Sequence, residues 1–251
     1  DPQSGEIFAV LPLDREVVDF YQLEILAFDF GEPPNSNTAF VNISVQDIND
    51  NQPQFAQPLF SMQLTEDVNI GTEVLQVNAS DFDIGSNSAL SFEIIDDVPF
   101  EIESISGQIT TSASLDRELI ASYIFQVRVS DNGLPSLSNT ADIVLELIDV
   151  NDNPPVFSQQ SFSVNVPENE PENRQLIKLT ATDPDEGVNK HVEYSLRGES
   201  IFVLDSLTGI LSVTEQLDRE QRAMYNLTVT ATDMGTPRRS SRATILLVMS
   251  G

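Results

Sequence analysis

The stretch Asp149-Val-Asn-Asp-Asn-Pro-Pro-Val-Phe157 puts two aspartates and two asparagines into five residues, and Asp47-Ile-Asn-Asp-Asn-Gln-Pro-Gln-Phe55 nearly repeats it. Buried together such groups repel one another, and in open water they need no fixed spacing. A bound cation answers both objections. The rest of the chain offers the same kind of donor, with 40 Asp and Glu against 12 Lys and Arg, one His and no Cys. Carboxylates, Asn side-chain oxygens and backbone carbonyls make an all-oxygen set. Hard cations prefer that set, and Ca²⁺, with about six to eight flexible ligands, suits it better than Mg²⁺.

The acids recur at one spacing. Asp-Arg-Glu begins at Asp14, Asp116 and Asp218, and Asp29, Asp131 and Asp233 each stand two residues before a glycine. The doublets Asp81-Phe-Asp83 and Asp183-Pro-Asp185, and the single Glu66 and Glu168, keep the same 102-residue offset. Independent coincidences do not share a spacing, so the chain is a tandem array of a unit of about 100 residues. An active site is normally built once, which argues against paired carboxylates for glycoside hydrolysis or a DXD-held nucleotide sugar. His191 is the only histidine and aligns with Ala89, so no catalytic imidazole recurs. An EF-hand at Asp81–Phe92 fails because Phe92 stands where a glutamate is required and no helical period flanks it.

Within each unit the pattern is β. In Tyr123–Val129 and Tyr225–Ala231 every second residue is apolar, and Val41, Ile43 and Val45 alternate with Asn42 and Ser44. Ser106-Gly107 and Thr208-Gly209 read as tight turns leading into strands at Gln108–Thr111 and Ile210–Val213. About seven short strands per unit predict an all-β chain of tandem seven-stranded Greek-key β-sandwiches. The expected domains are 1–52, 53–153 and 154–251. The first matches only the second half of a unit, since Asp1 aligns with Glu103, and reads as a truncation that is poorly folded without its missing strands. At the far end Gly251 aligns with Asp47 and Asp149.

The repeated acids fall outside the strands, some at the end of one unit and some at the start of the next, on either side of a Pro-containing linker. A net charge of −28 excludes nucleic acid and anionic lipid as partners. No apolar run is long enough to cross a membrane as a helix. Asn42, Asn78 and Asn226 head Asn-X-Ser/Thr sequons at the outward phase of their strands, which favours a secretory route. Arg238, Arg239 and Arg242 read as a solvated loop.

These residues resemble the extracellular repeat of the cadherin superfamily over the whole chain. The Leu-Asp-Arg-Glu, Asp-X-Asn-Asp-Asn-X-Pro-X-Phe, Asp-X-Asp and X-Asp-X-Gly motifs and the glutamate before the first turn all occur in order. The flanking sequence looks more like the long Fat, Dachsous, Flamingo and protocadherin types than the short adhesion ones. The resemblance implies three Ca²⁺ ions per complete linker. By position, the later junction uses Glu66, Asp116, Glu118, Asp149, Asn151, Asp152, Asp183, Asp185 and Asp233, with carbonyls of Val150, Asn153 and Asn189. The earlier one uses Asp14, Glu16, Asp47, Asn49, Asp50, Asp81, Asp83 and Asp131, with carbonyls of Ile48, Asn51 and Asn87, and lacks its first glutamate. The resemblance further implies calcium-dependent cell–cell adhesion or recognition outside the cell, by a parent protein anchored in the plasma membrane. Its expected partner is another cadherin ectodomain, homophilic or heterophilic, with no small-molecule substrate. The alternative is a non-adhesive, Ca²⁺-stiffened spacer. Trp is absent, so adhesion through an exchanged Trp-bearing strand is not supported in this segment.

Overall fold

The computed structural model describes residues 1–168 and 171–250, so Gly251 and its alignment with Asp149 lie outside the described residues. Every regular element among those residues is a strand. The first stretch contributes β1 (Phe20–Phe28) and β2 (Ser36–Ser44). The second contributes β3 (Gln54–Phe55), β4 (Leu59–Thr65), β5 (Glu73–Gln76), β6 (Ala79–Ser80), β7 (Ser91–Ile94), β8 (Phe100–Ile102), β9 (Gln108–Thr111), β10 (Ser122–Ser130) and β11 (Ser138–Ile148). The third contributes β12 (Val156–Phe157), β13 (Ser161–Pro167), β14 (Gln175–Lys178), β15 (Ala181–Thr182), β16 (Val192–Arg197), β17 (Phe202–Leu204), β18 (Ile210–Val213), β19 (Met224–Asp233) and β20 (Ser240–Ser250). The second and third stretches share one topology. A four-stranded sheet runs β4-β11-β10-β7 and then β13-β20-β19-β16, and a three-stranded sheet runs β5-β9-β8 and then β14-β18-β17.

Seven expected strands become nine segments because two strands break. The first changes partner: β12 pairs antiparallel with β15, whereas β13 runs parallel to β20 over seven residue pairs. The second breaks between β14 and β15, where the Leu179 amide bonds to the Gly209 carbonyl instead of a neighbouring strand. Gly209 has φ 68°, and a Cβ there would stand 2.4 Å from the Leu179 carbonyl oxygen, so only glycine fits. The connection carrying it is wider than a tight turn. It is closed by the Asp205 amide on the Ile210 carbonyl and the Gly209 amide on the Asp205 carbonyl, while the Asp205 carboxylate caps the Leu207 and Thr208 amides.

The chain forms two compact units by contact: residues 1–62, 69–114 and 122–146, and residues 63–68, 115–121 and 147 onward. In the first, alternation along β10 and β11 buries Phe125, Val127, Val129, Ala141, Ile143 and Leu145, with Phe100 stacked on Phe125. In the second, Tyr225, Leu227, Val229 and Ala231 of β19 join Ala243, Ile245 and Leu247 of β20 in one core. Phe157 enters that core against Phe162 and Tyr194, which accounts for the aromatic that closes the linker motif.

Residues 1–52 are more regular than the half-unit expectation held, because β1 and β2 make a nine-pair antiparallel hairpin. Its apolar residues nevertheless stay open to solvent, with Phe28 64% and Phe30 fully exposed. A two-stranded hairpin without an opposing sheet is marginal in water. Hydrogen exchange is therefore expected to label β1 and β2 orders of magnitude faster than β10 and β11; equal protection would contradict this.

Candidate metal centre

The second unit gathers the linker 147–153 with two loops from earlier in the chain, and these segments carry the expected ligands. Glu66 follows β4 and is 3% exposed. Its carboxylate accepts the Arg117 amide at 2.6 Å and the Val150 amide at 2.9 Å, so one side chain fixes both the Asp-Arg-Glu loop and the linker. Asp149 accepts the Glu186 amide at 3.0 Å and Asn189 Nδ2 at 2.7 Å. Asp185, 2% exposed, accepts Asn153 Nδ2 at 2.9 Å, and its own amide bonds to Asp183 Oδ1 at 3.1 Å. Asp233 is fully buried and accepts the Gly235 and Arg239 amides.

Gly235 explains why the aspartate motif carries a glycine. A Cβ there would fall 2.3 Å from the Asn151 carboxamide, so the absent side chain makes the space in which Asn151 lies. Asn151 Nδ2 then reaches the Pro237 carbonyl at 2.6 Å. Gly133 and Asn49 repeat the arrangement in the first unit, where Asn49 Nδ2 meets the Pro135 carbonyl at 2.6 Å.

The electrostatics are those of a site that wants positive charge. Oxygen atoms of Glu66, Asp116 and Glu118 lie within 4.8 Å of one another, as do those of Glu118, Asp149 and Asp185, and those of Glu16, Asp50 and Asp83 in the first unit. Burial and the neighbouring Glu66 charge push the Glu118 carboxyl up to about 6. Burial likewise raises Asp152, with Glu66 and Asp185 adding to it, and raises Asp183 and Asp81. Asn151 Oδ1, Asp183 Oδ2, Asn49 Oδ1 and Asp81 Oδ2 are buried with no hydrogen-bond donor among the described residues. Buried oxygens without donors, beside close carboxylates and with no thiolate or imidazole, fit a hard divalent cation such as Ca²⁺. When bound, that ion supplies charge neutralisation and a shared anchor; the chain's own residues order the segments that hold it.

Several contributors escaped the sequence reading. The Arg117 guanidinium pairs with Glu118, Asp149 and Glu186, and Arg15 does the same with Glu16 and Asp47. The recurrence of Arg between the two acids of each triplet was the available signal. Asn189 and Asn87, expected to offer carbonyls, also hold Asp149 and Asp47 through their side chains. The arginines at 238, 239 and 242 are not simply a solvated loop, because Arg242 lies on β20, Arg238 pairs with Glu193 at 3.0 Å and Arg239 Nε donates to the Asn151 carbonyl at 2.7 Å. In the third copy of the triplet, Arg219 pairs with Glu220 at 3.0 Å and with Glu168 at 3.9 Å.

Comparison with known proteins agrees with this architecture. The Cadherin domain family profile matches residues 1–46, 60–148 and 162–248. Protocadherin Fat 4 of Mus musculus is 38% identical over 253 residues, covering 98% of this chain and 5% of that protein. Protein dachsous of Drosophila melanogaster is 40% identical over 235 residues, covering 90% of this chain and 7% of that one. The chain thus spans under a tenth of the length of these relatives. Among solved structures, mouse cadherin-23 EC22-24 superposes with a TM-score of 0.88 at 34% identity, covering 95% of this chain and 77% of that one. The protocadherin gammaB7 EC3-6 cis-dimer structure superposes with a TM-score of 0.78 at 31% identity, covering 94% and 60%. Cadherin repeats are structural and adhesive domains and not enzymes, and they generally bind Ca²⁺ at their linkers, with which the acidic clusters are compatible. With tandem β-sandwiches, repeated oxygen clusters and profile matches in all three stretches, this chain belongs to the cadherin family.

Proposed function

We propose that the chain is a segment of an extracellular cadherin array that serves calcium-dependent cell–cell adhesion or recognition, with Ca²⁺ stiffening each repeat junction. The repeat boundaries are 1–52, 53–153 and 154–251. Three ions bind the later junction through Glu66, Asp116, Glu118, Asp149, Asn151, Asp152, Asp183, Asp185 and Asp233, with the carbonyls of Val150, Asn153 and Asn189. The earlier junction uses Asp14, Glu16, Asp47, Asn49, Asp50, Asp81, Asp83 and Asp131, with the carbonyls of Ile48, Asn51 and Asn87. The observation that carries the reading is one oxygen-only cluster built twice, each time with a buried Asn oxygen and a buried Asp oxygen that no donor among the described residues reaches. Eight carboxylates at the later junction face six positive charges from three ions, which nearly neutralises it.

The partner is another cadherin ectodomain. Support comes from relatives named as protocadherins and from the solved protocadherin cis-dimer. The parent protein is anchored in the plasma membrane with this segment outside, a reading that the exposed sequon asparagines at 42, 78 and 226 support. Beads coated with the parent ectodomain are expected to aggregate in calcium, with themselves or with beads carrying another cadherin, and to disperse in chelator. Binding of Ca²⁺ without aggregation in any pairing would leave the spacer role and refute the adhesive one.

A further inference from the structure

Three loops of the chain share one backbone device. Asp29, Asp131 and Asp233 each accept an amide from six residues further on, contributed by Asn35, Leu137 and Arg239 at 2.9, 3.1 and 2.9 Å. At 35 the donor's side chain also binds the aspartate, but at 137 and 239 only the main-chain amide does, which leaves the side chain there for another task. At Arg239 it has one. The Nε–H reaches across to the main-chain carbonyl of Asn151, at 2.7 Å and 88 residues away in sequence. Asn151 is therefore gripped twice by one loop, through its carbonyl by Arg239 and through Nδ2 by the Pro237 carbonyl. Its Oδ1 is left buried and without a donor among the described residues. At the equivalent place in the first unit the Asn49 carboxamide makes the matching bond to Pro135, but Leu137 brings no side-chain donor.

We propose that Arg239 is a positioning residue for cation binding at residues 149–153, a strap independent of metal that holds Asn151 with Oδ1 presented as a ligand. The inference rests on the calcium reading of that cluster. Two effects of the guanidinium oppose each other. Its charge repels an incoming dication, whereas its hydrogen bond removes linker freedom that binding otherwise has to remove. Arg239 as a whole is exposed, so water and salt screen the repulsion, whereas its hydrogen bond to the Asn151 carbonyl is part-buried and meets less competition from water. The strap is therefore the larger effect, and it follows that the later junction keeps more order than the earlier one when cation is withdrawn.

The test uses the whole chain with Arg239→Leu, which copies the residue of the earlier junction, and Arg239→Lys, which keeps charge and a donor. Hydrogen exchange in chelator reads the strap directly. The amides of 149–153 are expected to exchange about tenfold faster in Arg239→Leu, with Arg239→Lys in between and β19 unaffected. Titration with Ca²⁺ or Tb³⁺ at 150 mM salt is expected to show about 3- to 10-fold weaker binding in Arg239→Leu, partly restored by Lys. Unchanged exchange, or tighter binding in Arg239→Leu, would overturn the proposal. Should Arg239→Leu not fold, Arg239→Gln takes its place under the same criteria. A wild-type chain that binds neither ion would refute the calcium reading, while the exchange result in chelator still judges the strap separately.

Discussion

Asp152→Ala is expected to weaken calcium binding at the later junction on the order of 10- to 100-fold, about 1.4–2.8 kcal/mol, while both sandwiches stay folded. Asp152 brings a full negative charge to a site whose ligands come from separate segments, and calcium affinity follows ligand charge. Its side chain lies outside the cores, so truncation opens no cavity. Desolvation and the charges of Glu66 and Asp185 raise its carboxyl against the pull of Arg239, so its removal relieves a small, solvent-screened repulsion when cation is scarce. In chelator the variant should therefore melt no lower than the wild type. Titration calorimetry showing wild-type affinity would sink the ligand assignment, and a lower melting point in chelator would show that Asp152 is structural.

Chelation itself should act on the junctions more than on the repeats. With Ca²⁺ at a hundred times its Kd, each site contributes about 2.7 kcal/mol to the state that binds it. Removing that from a repeat of about 100 residues is expected to lower its melting temperature by about 10 °C or more. The β signal at room temperature should persist, because the cores that bury Ile143, Leu145, Leu227 and Ile245 contain none of the cluster acids. Small-angle scattering should register a broader distribution of shapes in chelator, as unneutralised carboxylates repel and the linker loses its shared anchors. A profile that does not change between calcium and chelator would refute junction stiffening.

The sequence reading and the structure agree most closely where information is local or periodic. Alternation along β10 and β19 reports burial of Phe125, Val127, Leu227 and Val229, since a strand's side-chain period is two. The 102-residue offset finds every cluster acid because repetition copies ligands along with the strands. What stays hidden is contact between residues far apart in sequence. Nothing local in Gly235 announces that Asn151 fills the place of its missing side chain. Nothing in an arginine pair distinguishes Arg238, paired to Glu193, from Arg239, bonded to a linker carbonyl. The break between β12 and β13 marks the sequence only as a slip of phase, with Phe157 and Phe162 both buried at an odd separation, and the change of pairing partner behind it leaves no other local sign.

The parallel pairing of β13 with β20 has a consequence for force. These are the first long strand and the last strand of the repeat, matched from Ser161↔Thr244 to Pro167↔Ser250. Tension applied through the two ends of the repeat pulls β13 from Ser161 and β20 from Ser250, in opposite directions along their common axis. The ladder is then loaded in shear, so its bonds share the strain and must yield together instead of unzipping singly. A repeat wired this way resists stretching at its own ends.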